Sequence, residues 1–263
     1  MGHLDIRDLR VAFQRRRGLR RETVVGLRSA TLDLRPGEVL ALVGESGGGK
    51  SLLVHAVLGL LPENAEVSGE VRLDGTLLDE AALRHARGRR LALVPQSLTH
   101  LDPLAPIGRQ VAWAARRAGR EIDVPEALAR AGLPASAASL RPASLSGGMA
   151  RRAFLAMVLG GPANILLADE PTDGLDPENA ALTLRSLRRM ADEGAAVLLV
   201  THDLALALPF ADRVVAMEDG VTLAPEDARS FTGTGEGLRL DSNRQLWQAL
   251  PQNGFRAEGD GHA

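Results

Sequence analysis

Residues 44–51 have the residue types and spacing of a phosphate-binding loop. They read Gly-Glu-Ser-Gly-Gly-Gly-Lys-Ser, which matches the pattern G-x-x-x-x-G-K-[ST] at every fixed position. The glycines let backbone N–H groups converge on phosphate oxygens, Lys50 can reach the outer phosphates, and the Ser51 hydroxyl can ligate Mg²⁺. We therefore predict nucleotide contacts along the whole run: Gly44, Glu45, Ser46, Gly47, Gly48, Gly49, Lys50 and Ser51.

Lys50 is the only lysine in the chain, although lysine and arginine together number 31. Tyrosine is absent, and isoleucine and asparagine are rare. Codons for these four residues are A/T-rich, so we infer a gene from a high-GC bacterium, in which arginine replaces lysine as a generic cation. Because Lys50 in the phosphate motif is not replaced by arginine, we infer that this position requires the compact ammonium group and not the wide, planar guanidinium.

Two carboxylates follow the apolar run 165–168, which predicts a buried strand. Side chains at the end of a strand can approach a metal–phosphate site. We predict that Asp169 holds Mg²⁺ through water and that Glu170 is the base that orients an attacking water molecule. The alternative is a strand followed by a solvated acidic turn.

A second anion site is predicted at Ser146, Gly147 and Gly148, which precede a helical stretch at 150–159. Ser146 stands at the N-cap position, and a glycine-rich helix start offers unpaired N–H groups and the positive end of the helix dipole. The motif alone is also compatible with a flexible turn.

His202 ends a further buried strand, residues 195–201, and lies 32 residues after Glu170. That interval has room for a helix at 177–193 and a return strand. The two strands are therefore expected to be parallel neighbours, with His202 and the two carboxylates at one edge of the sheet.

The elements around these motifs predict an α/β fold. A strand at 38–43 precedes the phosphate loop, and a helix at 51–61 follows it and stops at Pro62. Residues 4–35 alternate as an antiparallel β-lobe, residues 37–96 and 153–222 supply the parallel core, and a short helix lies near 245–250. We predict one nucleotide-binding domain at 1–223, with a helical subdomain at about 103–150, and a C-terminal extension at 224–263.

The amino-acid composition excludes several kinds of partner, site and segment for this chain. The net charge is −2, so we expect no nucleic-acid partner. Cysteine is absent, which excludes disulfides, thiolate metal sites and cysteine nucleophiles. Apolar runs long enough for a membrane helix and the h-region of a signal peptide are both missing. The sequence therefore predicts a soluble, intracellular chain.

Taken in order, the motifs GESGGGKS, Gln96, LSGGM, ILLADEP, GLD and His202 resemble the nucleotide-binding subunit of ABC transporters. The resemblance implies an ABC-type P-loop NTPase core with the β-lobe and inserted helical subdomain, binding ATP and Mg²⁺. It implies that Gln96 touches Mg²⁺ and water, that Ser146, Gly147 and Gly148 bind the γ-phosphate held by a second subunit, that Asp176 lies at the dimer seam, and that His202 contacts the γ-phosphate. Phe13 is the candidate for stacking on adenine, with an ordinary core phenylalanine as the alternative.

The sequences of several segments are similar to those of the dipeptide, oligopeptide and nickel importer branch. The similarity favours the nickel and metallophore members of that branch. That branch implies ATP hydrolysis coupled to uptake of peptide, nickel or a metal–metallophore complex. Its partners would be a second ATPase subunit (a copy or a sister ATPase), integral membrane permease subunits and, indirectly, an extracytoplasmic substrate-binding protein. The chain would sit peripherally on the cytoplasmic face of the bacterial inner membrane. The alternative is an ATPase accessory to a soluble enzyme complex of the phosphonate-breakdown type.

Overall fold

The computed structural model describes residues 2–17, 20–96, 101–117, 119–250 and 253. Its centre is a parallel sheet whose strands run in the spatial order β6 (Leu91–Val94), β7 (Ile165–Asp169), β8 (Ala196–Thr201), β3 (Val39–Val43) and β9 (Arg213–Glu218). Every residue of β3, β7 and β8 is buried, which is the pattern of strands covered on both faces. The α/β prediction is confirmed, and all five strands end at one edge.

An antiparallel lobe continues the sheet beyond β9. The short β10 (Val221–Thr222) pairs with β9 and with β2 (Arg20–Leu34), and β2 pairs antiparallel with β1 (Leu4–Arg17). A two-residue strand, β11 (Glu226–Asp227), also pairs antiparallel with β9. The predicted β-lobe is therefore present, and it joins the parallel core edge to edge.

The strands within residues 65–77 belong to this lobe, so their predicted place in the parallel core was wrong. Strand β4 (Ala65–Leu73) pairs antiparallel with β1, and β5 (Thr76–Leu77) pairs with β4. The physical reason is burial on one face alone: most residues of β4 are exposed or half-buried, whereas a strand of the parallel core is covered on both faces.

Helices cover the parallel strands and build the insertion. The structure contains α1 (Lys50–Val57), α2 (Glu80–Ala86), α3 (Ile107–Arg117), α4 (Val124–Arg130), α5 (Gly147–Gly160), α6 (Pro177–Asp192), α7 (Leu204–Ala207) and α8 (Asp241–Gln248). Helices α3, α4 and α5 share one hydrophobic core with α6 and one face of the sheet. A second core joins α1 and α2 to the other face and to the β-lobe. The chain thus has the predicted helical lobe after β6.

Three helices differ from their predicted bounds. Helix α8 spans Asp241–Gln248, so it begins before the predicted 245–250. Helix α1 ends at Val57 and not near residue 61, because Gly59 adopts a positive φ of 61° and the Leu60 N–H bonds back to the His55 carbonyl at 2.9 Å. Helix α5 begins at Gly147, directly after Ser146, and not at residue 150. Among the described residues, no helix has the length and apolarity needed to cross a bilayer.

Candidate functional site

The loop of residues 44–49 connects β3 to α1 and is pressed against β9. Gly44 has a φ of 150°, and a Cβ atom placed on it would lie 2.3 Å from the Met217 carbonyl oxygen. A side chain is therefore excluded at this position by backbone that cannot move aside. Since α1 starts at Lys50, the unpaired N–H groups of its first turn face the loop. The predicted strand, glycine-rich turn and helix are present in that order.

Lys50 is held inside this loop. Its side chain is buried, and Nζ donates to the carbonyl oxygens of Gly44 at 2.7 Å and Glu45 at 2.9 Å. Burial lowers the pKa of the Lys50 ammonium from its usual value, against the opposing influence of Glu170 and Asp169. Carbonyl dipoles compensate a buried cation less well than an anion does, so an oxyanion in the loop would displace these two contacts.

Ser51 and Asp169 bring two oxygen donors together at the base of the site. The Ser51 hydroxyl donates to Asp169 Oδ1 at 3.0 Å, although the two residues are 118 positions apart. Asp169 is almost fully buried, and burial raises the pKa of its carboxyl above the usual value. The contact supports the strand-end placement predicted for Asp169.

Glu170 and His202 form a pair across neighbouring strand ends. Strands β7 and β8 are parallel, with Asp169 opposite Val200, and the Glu170 N–H donates to the Val200 carbonyl at 2.9 Å. His202 Nδ1 lies 2.9 Å from Glu170 Oε2. Glu170 has a φ of 46°, an unusual value for a residue with a side chain, which is typical of positions where function constrains the backbone. The predicted adjacency of the two strands is confirmed.

A cavity of about 380 Å³ lies over the loop and is lined by seven of the seventeen predicted site residues. Its lining residues are Gly26, Ser46, Gly47, Gly49, Lys50, Ser51, Leu52, Gln96 and Glu170. Gln96 reaches this cavity from the end of β6, and its Nε2 donates to Asp173 Oδ2 at 3.2 Å. The site therefore combines a buried cation, a serine hydroxyl, an amide and a carboxylate around one space.

The second predicted anion site lies elsewhere. Ser146 caps α5 by accepting a hydrogen bond from the Met149 N–H at 3.2 Å, and Asp176 caps α6 by accepting one from the Asn179 N–H at 2.9 Å. Gly148 packs against the Asn179 side chain, which links the two helix starts. The hydrogen bonds from Asn179 lower the pKa of the exposed Asp176 carboxyl. None of Ser146, Gly147, Gly148 and Asp176 lines the loop cavity.

Phe13 lies within β1, paired with Val24 on β2 and with Ala65 on β4. It packs on the second hydrophobic core, and its ring edge approaches Gly26, which lines the loop cavity. The position is compatible with both sequence interpretations, so its contact with a base stays a prediction.

Sequence reasoning missed Asp173 and Arg151. The Asp173 carboxylate accepts a hydrogen bond from the Gln96 amide, and Arg151 donates to the backbone carbonyls of both residues. The only available signal was proximity to motifs: Asp173 lies three residues after Glu170, and Arg151 lies two after the LSGGM segment. Neither signal specifies a long-range contact.

Comparison with known proteins agrees with this geometry. The family model described as "ABC transporter" matches residues 27–173, which include the loop, Gln96, Ser146 and Glu170. The solved structure described as the "Dimeric structure of a post-hydrolysis state of the ATP-binding cassette MJ0796 bound to ADP and Pi" superposes with a TM-score of 0.73 at 27% sequence identity. That superposition covers 86% of this chain and 99% of the other, which confirms the ABC cassette fold.

Three curated relatives illustrate the range of similar proteins. The chain is 38% identical to oligopeptide transport ATP-binding protein OppD of Mycobacterium tuberculosis, over 82% of this chain and 37% of that protein. It is 38% identical to peptidoglycan transport ATP-binding protein YejF of Agrobacterium fabrum (95% and 47%) and 39% identical to hemin import ATP-binding protein HmuV of Pseudomonas entomophila (77% and 81%). The chain thus spans less than half the length of the first two.

Proposed function

This chain belongs to the ABC transporter family of ATP-binding proteins, and from that premise we propose that it hydrolyses ATP to drive solute import through a membrane permease. The observation that carries the proposal is the Glu170–His202 pair, in which Glu170 lines the same cavity as Lys50 and Ser51. A general base beside a phosphate-binding loop is the arrangement that phosphoryl transfer to water requires.

Lys50 and the start of α1 supply the electrostatic part of this mechanism. In the proposed complex, the ATP β- and γ-phosphates replace the Gly44 and Glu45 carbonyls as acceptors for Lys50 Nζ. Charge that develops on the transferred phosphoryl group then faces a buried cation and unpaired backbone N–H groups. Because these donors are already in place, little reorganisation is needed when the charge appears.

Glu170 and His202 act on the attacking water. The Glu170 carboxylate accepts a proton from the water and directs the oxygen toward the γ-phosphate. His202 holds Glu170 Oε2 through Nδ1, and since the histidine side chain is about half exposed, its other ring nitrogen is available to the γ-phosphate. The pair thus fixes both the base and the direction of attack.

The oxygen donors at the base of the cavity fit Mg²⁺. Ser51, Asp169 and Gln96 offer a hydroxyl, a carboxylate and an amide oxygen, which are ligands that Mg²⁺ accepts. Among the described residues, no group of three or more histidine, aspartate and glutamate side chains could hold a metal ion by itself. We propose that phosphate oxygens and water complete the coordination. The bound ion would neutralise charge on the β- and γ-phosphates.

We propose that a second ATPase chain completes the site. Ser146, Gly147 and Gly148 stand at the start of α5, outside the lining of the chain's own loop cavity, and Asp176 lies near them through Asn179. Two chains related by a two-fold axis would each place this surface over the partner's ATP. The similar MJ0796 cassette is described as a dimer bound to ADP and Pi, which supports this arrangement.

A groove of about 410 Å³ between the helical lobe and the parallel core is the proposed permease contact. Trp113 and Arg117 line it from α3, and Phe154 and Met157 line it from α5. Trp113 is 39% exposed, and the Arg109 guanidinium stacks over its ring at 5.4 Å. Such a mixed aromatic and cationic surface suits a short segment that carries an apolar side chain and a carboxylate.

We propose peptide as the cargo, because two of the three relatives above are named for oligopeptide and peptidoglycan transport. The test is uptake of a radiolabelled oligopeptide in a strain that lacks the gene. The wild-type chain should restore uptake, whereas Lys50→Ala and the charge-preserving control Lys50→Arg should not, at equal expression. Restoration of radiolabelled nickel uptake alone would reassign the cargo, and stable association with soluble enzymes alone would contradict the importer.

Lys50 also permits a direct test of ATP binding. As the single lysine, it and the α-amine are the only primary amines in the chain. Saturating ATP and Mg²⁺ should slow acylation of Lys50 by about tenfold or more, because phosphate contact both encloses the amine and keeps it protonated. Peptide mass spectrometry would measure both sites, with the α-amine as internal control. Equal acylation of Lys50 with and without ATP would refute phosphate contact.

A further inference from the structure

Arg151 joins three segments of the chain that meet beside the candidate site. It lies in the first turns of α5 and is 3% exposed. Its Nη1 donates to the carbonyl oxygens of Pro95 at 2.6 Å and Gln96 at 2.7 Å, and its Nη2 donates to the Asp173 carbonyl at 3.2 Å. One guanidinium therefore ties α5 to the end of β6 and to the turn after β7.

The surroundings of Arg151 compensate its buried positive charge only in part. Its three hydrogen-bond acceptors are backbone carbonyls, and its Nε atom is buried without a hydrogen-bond partner in the described part of the chain. Burial lowers the pKa of the guanidinium, against the favourable charge of Asp173. A buried cation without a hydrogen-bonded carboxylate adds little to the stability of the fold. We therefore infer that Arg151 serves to position the segments to which it donates.

The two tied segments carry the polar groups of the site. Gln96 Nε2 donates to Asp173 Oδ2, and the Asp173 N–H donates to the Glu170 carbonyl at 3.2 Å. The Arg151 fork thus holds the backbone of Gln96 and of Asp173 while their side chains bond to each other. Displacement of either segment would move the Gln96 amide relative to the cavity that it lines.

We propose that Arg151 is a positioning residue that sets the Gln96 amide for hydrolysis, an inference that rests on the proposed ATPase activity. The task requires a planar fork, because two nitrogen atoms must reach carbonyls on two different segments. A lysine at this position carries the same charge but offers a single point of contact. We therefore expect the geometry, and not the charge alone, to decide the rate.

The test is a double-mutant cycle between Arg151→Met and Gln96→Ala. In the otherwise wild-type chain, Arg151→Met should lower kcat by about tenfold or more, while ATP affinity in equilibrium binding changes by less than about threefold. In the Gln96→Ala background, the same substitution should cost less than about twofold in kcat, because the group that Arg151 positions is already gone. Arg151→Lys should give an intermediate rate.

Arg152→Met is the matched control. Arg152 is also buried, and it donates to Asn179 Oδ1 at 2.7 Å, away from Gln96. Its effect on kcat should be the same factor with and without Gln96. An Arg151 effect that is equally independent of Gln96 would overturn the proposal, as would affinity and kcat falling together in proportion to lost stability.

The experiment must distinguish misfolding of a variant and failure of the proposed ATPase activity from failure of the positioning role. If Arg151→Met does not fold, the cycle is run with Arg151→Lys, which keeps the buried charge and should show the same dependence on Gln96. If the wild-type chain does not hydrolyse ATP, the proposed function fails; if it does and the cycle shows no coupling, the positioning role of Arg151 alone is refuted.

Discussion

Glu170→Gln is expected to bind ATP normally and to lose about 10²-fold or more of its hydrolysis rate. Glutamine has nearly the same shape and can still bond to His202, so the contact with His202 and the strand end should be preserved. The amide cannot accept a proton from water at neutral pH, so the base is removed and the binding surface is kept. The positive φ of Glu170 is equally compatible with glutamine, which adds no backbone strain.

Phosphate release and equilibrium ATP binding should be measured on the same preparation. Glu80→Gln is the control, since Glu80 is an exposed carboxylate on α2 that pairs with Arg84, and its removal should leave both quantities unchanged. Hydrolysis near the wild-type rate in Glu170→Gln would remove Glu170 from the role of base. Loss of ATP binding in parallel with hydrolysis would place the residue in nucleotide binding.

The sequence was most informative where local rules suffice. Residues 165–168 and 195–200 are continuously apolar, so the strands that contain them could be predicted as buried, and their parallel pairing followed from the intervening helix. The phosphate loop was recognisable because its glycines, lysine and serine serve one small region of backbone. For these reasons the placement of Lys50, Ser51, Asp169, Glu170 and His202 near one sheet edge could be predicted.

Contacts between distant segments were not accessible in the same way. The strand at Ala65–Leu73 belongs to the antiparallel lobe because it pairs with β1, more than fifty residues earlier in the chain. The residue pattern of the strand itself does not indicate which strand it pairs with. Likewise, the end of α1 depends on the backbone conformation of Gly59. Arg151 connects the segments of Gln96 and Asp173 through their backbone carbonyls. Every residue has a backbone carbonyl, so such contacts cannot be recognised from the residue types.

We propose that two chains share each ATP, with the loop of one chain opposite Ser146 of the other. Lys50→Ala should be inactive because it lacks the phosphate clamp. Ser146→Arg should be inactive because a bulky cation replaces the small N-cap of α5 at the proposed seam. Each defect lies on a different surface, since Ser146 does not line the cavity of its own loop. The two variants should therefore complement each other when mixed.

The decisive measurement is the ATPase activity of an equimolar mixture of Lys50→Ala and Ser146→Arg, with mixed dimers verified by cross-linking. In a mixed dimer, one site carries both defects and the other pairs an intact loop with an intact Ser146. Random pairing makes about half of the dimers mixed, each with one working site of two, so activity should return to roughly a quarter of wild type. If mixed dimers form and activity stays at the level of the separate variants, the shared site is contradicted.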